Sequence, residues 1–126
     1  PRVRSYVETG MAVPAHSYIR SQILRREYRE RALAEWSAYD VIALPTAETP
    51  APGLESTGSP ALQAVVTLFG LPSITLPAGL SPDGLPVGLQ LVAKHGDDER
   101  LLSAAYAFEK VLGNGRQRLG APPLCR

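Results

Sequence analysis

The stretch from Gly70 to Ala93 constrains the fold of this chain more than any other, because two short apolar runs flank a turn sequence. The runs cover Ser73–Leu76 and Val87–Ala93, and a Ser-Pro-Asp-Gly sequence lies between them. Pro82 presets φ for the second position of a turn, and Gly84 can adopt the positive φ that closes it. The pattern therefore predicts a strand, a turn and a second strand.

Prolines also mark the predicted limits of these strands. Pro72, Pro77 and Pro86 stand where a strand is expected to begin or end. Proline cannot donate a ladder hydrogen bond, so these positions suit it.

A long helix is predicted before this stretch. Residues 1–16 show no clear periodicity and contain the helix breakers Gly10 and Pro14. Ser17 is the predicted N-cap, and the helical pattern then continues to about Ala38. Arginines and glutamates occupy the other faces, and the five arginines from position 20 to 31 are interpreted as a solvated face. The apolar stripe predicted to pack in the core comprises Leu24, Tyr28, Ala32, Trp36 and Tyr39.

Two shorter helices are predicted further along. Ala61–Phe69 follows Ser59-Pro60, a typical helix start, and ends at Gly70, a typical helix stop. This helix is so apolar that we expect it to be buried on most sides. The last helix starts after Asp97 and ends at Gly113. Its predicted core stripe comprises Leu101, Ala104, Ala105, Phe108, Val111 and Leu112.

The segment between the helices completes an α/β pattern. Val41–Leu44 is a continuous apolar run stopped by Pro45, which predicts a strand covered on both faces. A helix that leads into such a strand is typical of α/β folds. Residues 46–58 contain prolines and glycines without periodicity, and we predict a loop that is functional or mobile.

Composition sets limits on partners and location. The 126 residues suffice for one domain, and the net charge of +1 gives no electrostatic reason to expect nucleic acid or membrane as a partner. No apolar run approaches the roughly 18 residues of a membrane span. The single cysteine, Cys125, cannot form an internal disulfide, which fits a reducing, cytoplasmic compartment. Because residue 1 is Pro rather than Met, we expect a portion of a longer product.

The chain lacks a complete catalytic constellation of its own. Ser73 is not part of a Gly-x-Ser-x-Gly elbow, and its hydroxyl is expected to satisfy backbone groups. His95 is interpreted as a surface loop residue, and the acids after it as helix-start residues rather than metal ligands. Lys94 follows a strand and is interpreted as a solvated residue. No cofactor and no metal site is predicted.

Motifs in a fixed order carry a family resemblance. From residue 2 to residue 113 the chain resembles the C-terminal part of the amidase signature family. The motifs are Tyr18-Ile19 and Arg25, Asp40-Val41-Ile42-Ala43-Leu44-Pro45-Thr46, Thr67-Leu68-Phe69-Gly70-Leu71-Pro72, Thr75-Leu76-Pro77-Ala78-Gly79, Gly84-Leu85-Pro86-Val87-Gly88-Leu89-Gln90-Leu91-Val92, Asp97-Asp98-x-x-Leu101-Leu102 and Glu109.

The resemblance implies part of a single-domain α/β/α hydrolase with a mixed sheet, of which this chain holds about three strands. The family cleaves amide bonds with a Ser–cis-Ser–Lys triad and an oxyanion hole of backbone amides. None of those residues has a counterpart here, so no catalytic residue is assigned. We expect residues 1–126 to form a single fragment, and the Gly-, Arg- and Pro-rich residues 114–126 to be a flexible tail.

The family's C-terminal part supplies one wall of the substrate cleft. By position, the resemblance nominates Gln63, Val66 and Thr67 on the short helix and Thr46 in the Pro-Thr turn as substrate-binding residues. Family members often carry Asn at the position of Thr67. The alternative interpretation assigns these residues to helix and core packing alone.

Two functions follow as hypotheses. The chain is the C-terminal portion of an amidase-type hydrolase for a small-molecule amide, and is inactive by itself. Alternatively, it is a non-catalytic binding or assembly module with the same fold. In the first case a truncated sheet would leave an unpaired edge and exposed apolar surface, which predicts self-association or a partner chain.

Overall fold

The computed structural model describes residues 2–113 and 119–120, which form two compact units, Pro1–Glu35 and Trp36–Arg126. Cys125 and the predicted tail, apart from Leu119 and Gly120, lie outside the described residues. In chain order the elements are α1 (Arg2–Met11), α2 (Ala15–Glu35), a 3-10 turn (Trp36–Ala38), β1 (Ile42–Pro45), α3 (Ala61–Phe69), β2 (Ser73–Leu80), β3 (Pro86–Val92) and α4 (Asp98–Leu112).

The first unit contains two helices, of which α1 was not predicted. Helix α1 continues through Gly10, which costs only about 1 kcal/mol relative to alanine, and an Arg4–Glu8 pair at 2.8 Å lies along it. The prediction that Ser17 caps α2 is wrong. The helix starts two residues earlier, directly after Pro14, and the Ser17 amide donates to the Pro14 carbonyl at 3.0 Å. Proline is well suited to a first helical turn.

The apolar stripe of the long helix is exposed. No residue of α2 is buried, and Tyr28 is 56% accessible. Leu24 and Tyr39 are also exposed. The prediction that this stripe packs in a core is therefore wrong for this chain. The periodicity identifies the apolar face of a helix, but it does not supply the surface that covers it.

The second unit is built on a three-stranded antiparallel sheet in the order β1-β3-β2, which confirms the α/β class. Strands β2 and β3 are hydrogen-bonded to each other, with Ile74 opposite Leu91. The turn between them closes through Ser81, whose amide donates to the Leu85 carbonyl at 2.8 Å. Gly84 has φ 78°, as the turn sequence predicts. The predicted strand–turn–strand element is confirmed.

Strand β2 is longer than predicted, because Pro77 lies inside it rather than at its end. The register shifts between Pro77 and Gly79, which marks a β-bulge. β2 is an edge strand, so the missing N–H of Pro77 leaves no gap in the ladder to β3. Pro72 and Pro86 stand at strand starts, as predicted.

Strand β1 is an edge strand as well, and the prediction that both of its faces are covered is wrong. Its burial alternates, with Ala43 and Pro45 exposed and Ile42 and Leu44 half-buried. The central strand is β3, whose last three residues, Gln90–Val92, are buried. An uninterrupted apolar run indicates a central strand only when strands flank it on both sides.

Helix α4 covers one face of the sheet and closes the core. The buried core residues are Leu76, Leu91, Ala93, Leu101 and Ala105. The predicted start and end of α4 are confirmed. Val111, which we predicted to face the core, is 88% accessible. Phe108, also predicted to face the core, is exposed as well, whereas Leu112 in the last turn packs against the core.

The short apolar helix α3 has the predicted bounds, and Gly70 ends it in the left-handed conformation. Ser59 accepts a hydrogen bond from the Ala61 amide at 3.3 Å. The expectation that α3 is buried on most sides is wrong. Val66 is buried, whereas Val65 and Leu68 are each about half exposed.

Two cations hold the segment before β1 against the start of α4. Arg100 contacts the Asp40 carboxylate at 2.6 Å, and Lys94 donates to the Ser37 carbonyl at 3.2 Å. Lys94 is thus a bonded residue rather than a solvated one. Both ion-pair partners are more than half exposed, so the pair contributes about 1 kcal/mol at most. None of the described helices combines the length and apolar character that crossing a membrane requires.

The close packing at Gly88 gives a test of the sheet. A Cβ at this position would lie 2.5 Å from Thr46 Oγ1 and 2.7 Å from Thr75 Cγ2. Gly88→Ala should therefore lower the free energy of unfolding of the second unit by about 2 kcal/mol. Urea denaturation measures this. Gly10→Ala, where a Cβ meets nothing within 4 Å, is the control and should be neutral or slightly stabilising. Equal effects of the two substitutions would contradict this packing.

Candidate functional site

An open cleft of about 1040 Å³ lies at the end of the sheet where β1 runs into the long loop. Its floor is formed by strand ends, including Thr75 of β2 and Gly88 of β3. Its wall is formed by the loop at 46–60 and by Gln63 of α3. The predicted loop is confirmed, and it borders the cleft along most of its length.

Backbone and hydroxyl groups organise the floor of this cleft. The Thr46 amide donates to the Gly88 carbonyl at 2.9 Å, which extends the β1–β3 ladder by one residue. Since Gly88 carries no side chain, the hydroxyls of Thr46 and Thr75 approach each other above it, at 3.2 Å. The two hydroxyls each have one proton and two lone pairs, so the pair can still donate and accept toward the cleft.

A side chain of α3 joins the same network. Gln63 Nε2 donates to the Thr46 carbonyl and so connects the helix to the first residue of the loop. Two of the four residues nominated as substrate-binding, Gln63 and Thr46, therefore lie together at the cleft. Because Nε2 is engaged, Gln63 Oε1 is the acceptor that this side chain can offer to a ligand.

The other two nominated residues lie elsewhere. Val66 is buried, with 7% of its surface accessible, and it does not line the cleft. Thr67 is exposed on α3 away from the cleft lining, and its carbonyl accepts the Gly70 amide at 3.1 Å. A substrate contact by either residue stays a prediction.

Sequence reasoning missed the contribution of the sheet. Thr75 and Gly88 reach the cleft because β3 separates β1 from β2, an order that local patterns do not reveal. Once the order is known, the register identifies Gly88, since Thr46 pairs with it. Thr75 is a diagonal neighbour of Gly88, because it lies two residues before Pro77, which is opposite Gly88.

The loop also brings a carboxylate and a serine hydroxyl to the cleft, Glu48 and Ser59. The histidine and the serine that were weighed as catalytic candidates in the sequence are not at the cleft. His95 is exposed in the turn before α4, as predicted, and Ser73 is exposed at the start of β2. Neither residue lines the cleft. Within the residues that the structure describes, no three His, Cys, Asp or Glu side chains are grouped closely enough to hold a metal ion.

Gln90 is a buried polar residue on the central strand. It is 4% accessible, and it lies opposite Thr75 on one side and Leu44 on the other. Its Oε1 atom is buried and has no hydrogen-bond partner among the described residues. A buried acceptor without a hydrogen bond lowers the free energy of unfolding by about 1–3 kcal/mol.

Comparison with known proteins places these features in a family. The Amidase family model matches residues 3–102. This chain belongs to the amidase family. The resemblance predicted from the ordered motifs is thereby confirmed.

The relatives are much longer than this chain. The A subunit of glutamyl-tRNA(Gln) amidotransferase from Psychrobacter sp. is 39% identical over 100 residues, which is 74% of this chain and 20% of the relative. Its counterpart from Thermus thermophilus is 39% identical over 112 residues, covering 83% of this chain and 23% of the relative. The chain therefore spans about a quarter or less of these two relatives.

Solved structures agree on the fold. A crystal structure of an amidase superposes with a TM-score of 0.81 at 28% identity, covering 90% of this chain and 29% of the amidase. The structure of 6-aminohexanoate cyclic dimer hydrolase superposes with a TM-score of 0.76 at 27% identity, covering 95% of this chain and 29% of the hydrolase. The chain thus has the fold of a portion of an amidase.

A measurement of the free energy of unfolding tests whether Gln90 Oε1 lacks a hydrogen-bond donor. Gln90→Met keeps an unbranched side chain of similar size and removes the buried oxygen, so it should raise the free energy of unfolding by about 1 kcal/mol. The matched control is Gln63→Met, which removes a bonded amide and should lower that free energy by about 1 kcal/mol. Chemical denaturation followed by circular dichroism measures both. A loss of stability with Gln90→Met would show that Oε1 has a donor.

Proposed function

We propose that this chain forms core and one cleft wall of a hydrolase that cleaves the amide bond of a small molecule. The observation that carries the proposal is the cleft itself, where Thr46, Gln63 and Thr75 converge beside an open loop. An amide offers a carbonyl acceptor and, unless fully substituted, an N–H donor. Threonine hydroxyls and a glutamine carbonyl oxygen can bind both.

The catalytic groups belong, in this proposal, to the part of the amidase fold that this chain does not contain. No residue here matches the Ser–cis-Ser–Lys triad motifs of the family, and no lysine or histidine is among the described residues that line the cleft. The length of the relatives supports this division, since this chain corresponds to 20–29% of the two relatives and the two solved structures. The chain alone is accordingly inactive.

A partner polypeptide, or further residues of a longer one, is part of the same proposal. Exposed apolar side chains on α3, α4 and β2 support it, because a monomer of this size rarely leaves so many uncovered. One relative is named as a subunit of an amidotransferase, and one solved structure is described as a vestigial protein complex. We place the function in the cytoplasm, supported by a chain whose single cysteine cannot form an internal disulfide.

Assays of amide hydrolysis test whether the catalytic groups lie outside this chain. The purified chain should release no ammonia from acetamide, hexanamide or benzamide above the buffer rate. Co-expression with the Thermus thermophilus relative lacking its matched segment should restore release. Clear turnover by the chain alone that Ser73→Ala abolishes would contradict the proposal. A folded complex that binds these amides without hydrolysing any of them would favour the non-catalytic binding module.

The role of the cleft wall is tested in that restored complex. Thr46→Val keeps the shape of the side chain and removes its hydroxyl, so KM for the amide should rise about tenfold, equivalent to about 1.4 kcal/mol, with a smaller change in kcat. Thr9→Val is the matched control, since Thr9 lies in the first unit and its hydroxyl bonds the Ser5 carbonyl within α1. Steady-state kinetics of ammonia release measures both. An unchanged KM in Thr46→Val would show that this hydroxyl does not bind the amide substrate.

A further inference from the structure

Among the residues that the structure describes, one charged side chain lines the cleft. This residue is Glu48, two positions into the loop, and every other described lining residue is apolar or an uncharged polar residue. A carboxylate is negatively charged at neutral pH. In a concave apolar surface, charge of one sign concentrates the electrostatic potential and attracts a ligand of the opposite sign. The described cleft therefore favours a cation.

No cation in the described part of the chain neutralises this carboxylate. Glu48 is exposed, and it takes part in none of the ion pairs between described residues. Two cations of the second unit are engaged elsewhere, since Arg100 contacts Asp40 at 2.6 Å and Lys94 donates to the Ser37 carbonyl at 3.2 Å. A cationic ligand therefore does not have to displace a described partner of Glu48.

The walls around this carboxylate are apolar and rigid. Prolines make up much of the described lining, namely Pro45, Pro50, Pro52, Pro60, Pro77 and Pro86. A proline ring has no N–H to donate, and it loses almost no side-chain entropy when a ligand contacts it. Methylene groups are stabilised when such a surface removes them from water. The lining therefore suits a saturated carbon chain that leads to the charged group.

The spacing between Thr46 and Glu48 limits the length of a ligand that reaches both. Two residues span at most about 7 Å between their Cα atoms. The Thr46 hydroxyl, 3.2 Å from that of Thr75, is one of the groups proposed to bind the amide. Four methylenes separate an amide carbon from an amine nitrogen by about 6 Å when the chain is extended. A ligand with an amide at one end and an ammonium group at the other is therefore of suitable length.

We propose that Glu48 forms a cation subsite of the cleft, and that the substrate class is an aliphatic amide with a primary ammonium group at its far end. This inference rests on the proposed function, which supplies the amide. The proline walls contact the methylene spacer, and the Glu48 carboxylate forms an ion pair with the ammonium group. A substrate that ends in a carboxylate is disfavoured, because like charges repel at the same place.

Binding to the full 126-residue chain tests the subsite independently of hydrolysis. The probes are 5-aminopentanamide, hexanamide, in which a methyl group replaces the ammonium group, and the monoamide of adipic acid, which ends in a carboxylate. Titration followed by nuclear magnetic resonance should give a Kd about fivefold lower for 5-aminopentanamide than for hexanamide, and weaker binding of the monoamide. Because the cleft is open, this difference should disappear at about 1 M salt, where charges are screened within about 3 Å.

Two variants with the same change in net charge locate the effect. Glu48→Gln keeps the shape of the side chain and removes its charge, so the two Kd values should become about equal. Glu55→Gln is the matched control, because Glu55 lies in the same loop but does not line the described cleft, and it should preserve the difference. In the restored complex, the ratio of kcat/KM for the two amides should change in the same way. Unchanged amide spectra of β3 establish that both variants fold.

Each outcome decides the inference. A preference for the cationic amide that Glu48→Gln abolishes and Glu55→Gln preserves supports it. Equal binding of 5-aminopentanamide and hexanamide overturns it, as does a preference that both variants lose or both retain, or no saturable binding of 5-aminopentanamide at all. Binding through Glu48 without hydrolysis in the restored complex supports the subsite and counts against the proposed function. Hydrolysis of hexanamide with no preference for the cationic amide overturns the subsite and supports the proposed function.

Discussion

The pairing of β3 with a strand on each side is the interaction on which the described second unit depends. β1 and β2 are not neighbours, so each is held in the sheet by its own ladder to β3. Burial follows the same arrangement, because Leu91 and Val92 are almost inaccessible while the outer strands are half exposed. Helix α4 packs on one face of β3 and β2, and this contact forms the core.

The cleft is a consequence of the same ladder. Its last bond joins Thr46 to Gly88, and beyond that bond the chain leaves the sheet as a loop. A side chain at Gly88 would separate the two threonine hydroxyls, so the absence of a Cβ is what gives the cleft a polar floor. Gln63 fixes the first loop residue from the opposite side. The floor is therefore set by Thr46 and the backbone pairing, and the loop beyond Thr46 can vary without altering it.

Features governed by neighbours in sequence were predictable. The turn at Gly84, the bounds of α3 and α4 and the placement of Thr46 and Gln63 all follow from local signals or from a motif match. Features governed by distant residues were not. Thr75 reaches the cleft through the strand order, and α1 forms despite Gly10 because one unfavourable residue does not outweigh its neighbours. Motif position alone also could not show that Gln63 lines the cleft while Val66, on the same helix, is buried.

The errors about burial share one direction, because each prediction expected more burial than the structure shows. The stripe of α2, the run in β1, the surface of α3 and Val111 were all predicted to be covered, and each is exposed at least in part. Hydrophobic patterning reflects the environment in which a segment is stable, and random scatter would produce errors in both directions. A chain that corresponds to a fifth to three-tenths of its relatives carries patterning suited to the longer fold. Under the proposed function, the excess apolar positions are the surfaces that the remaining part of the fold covers.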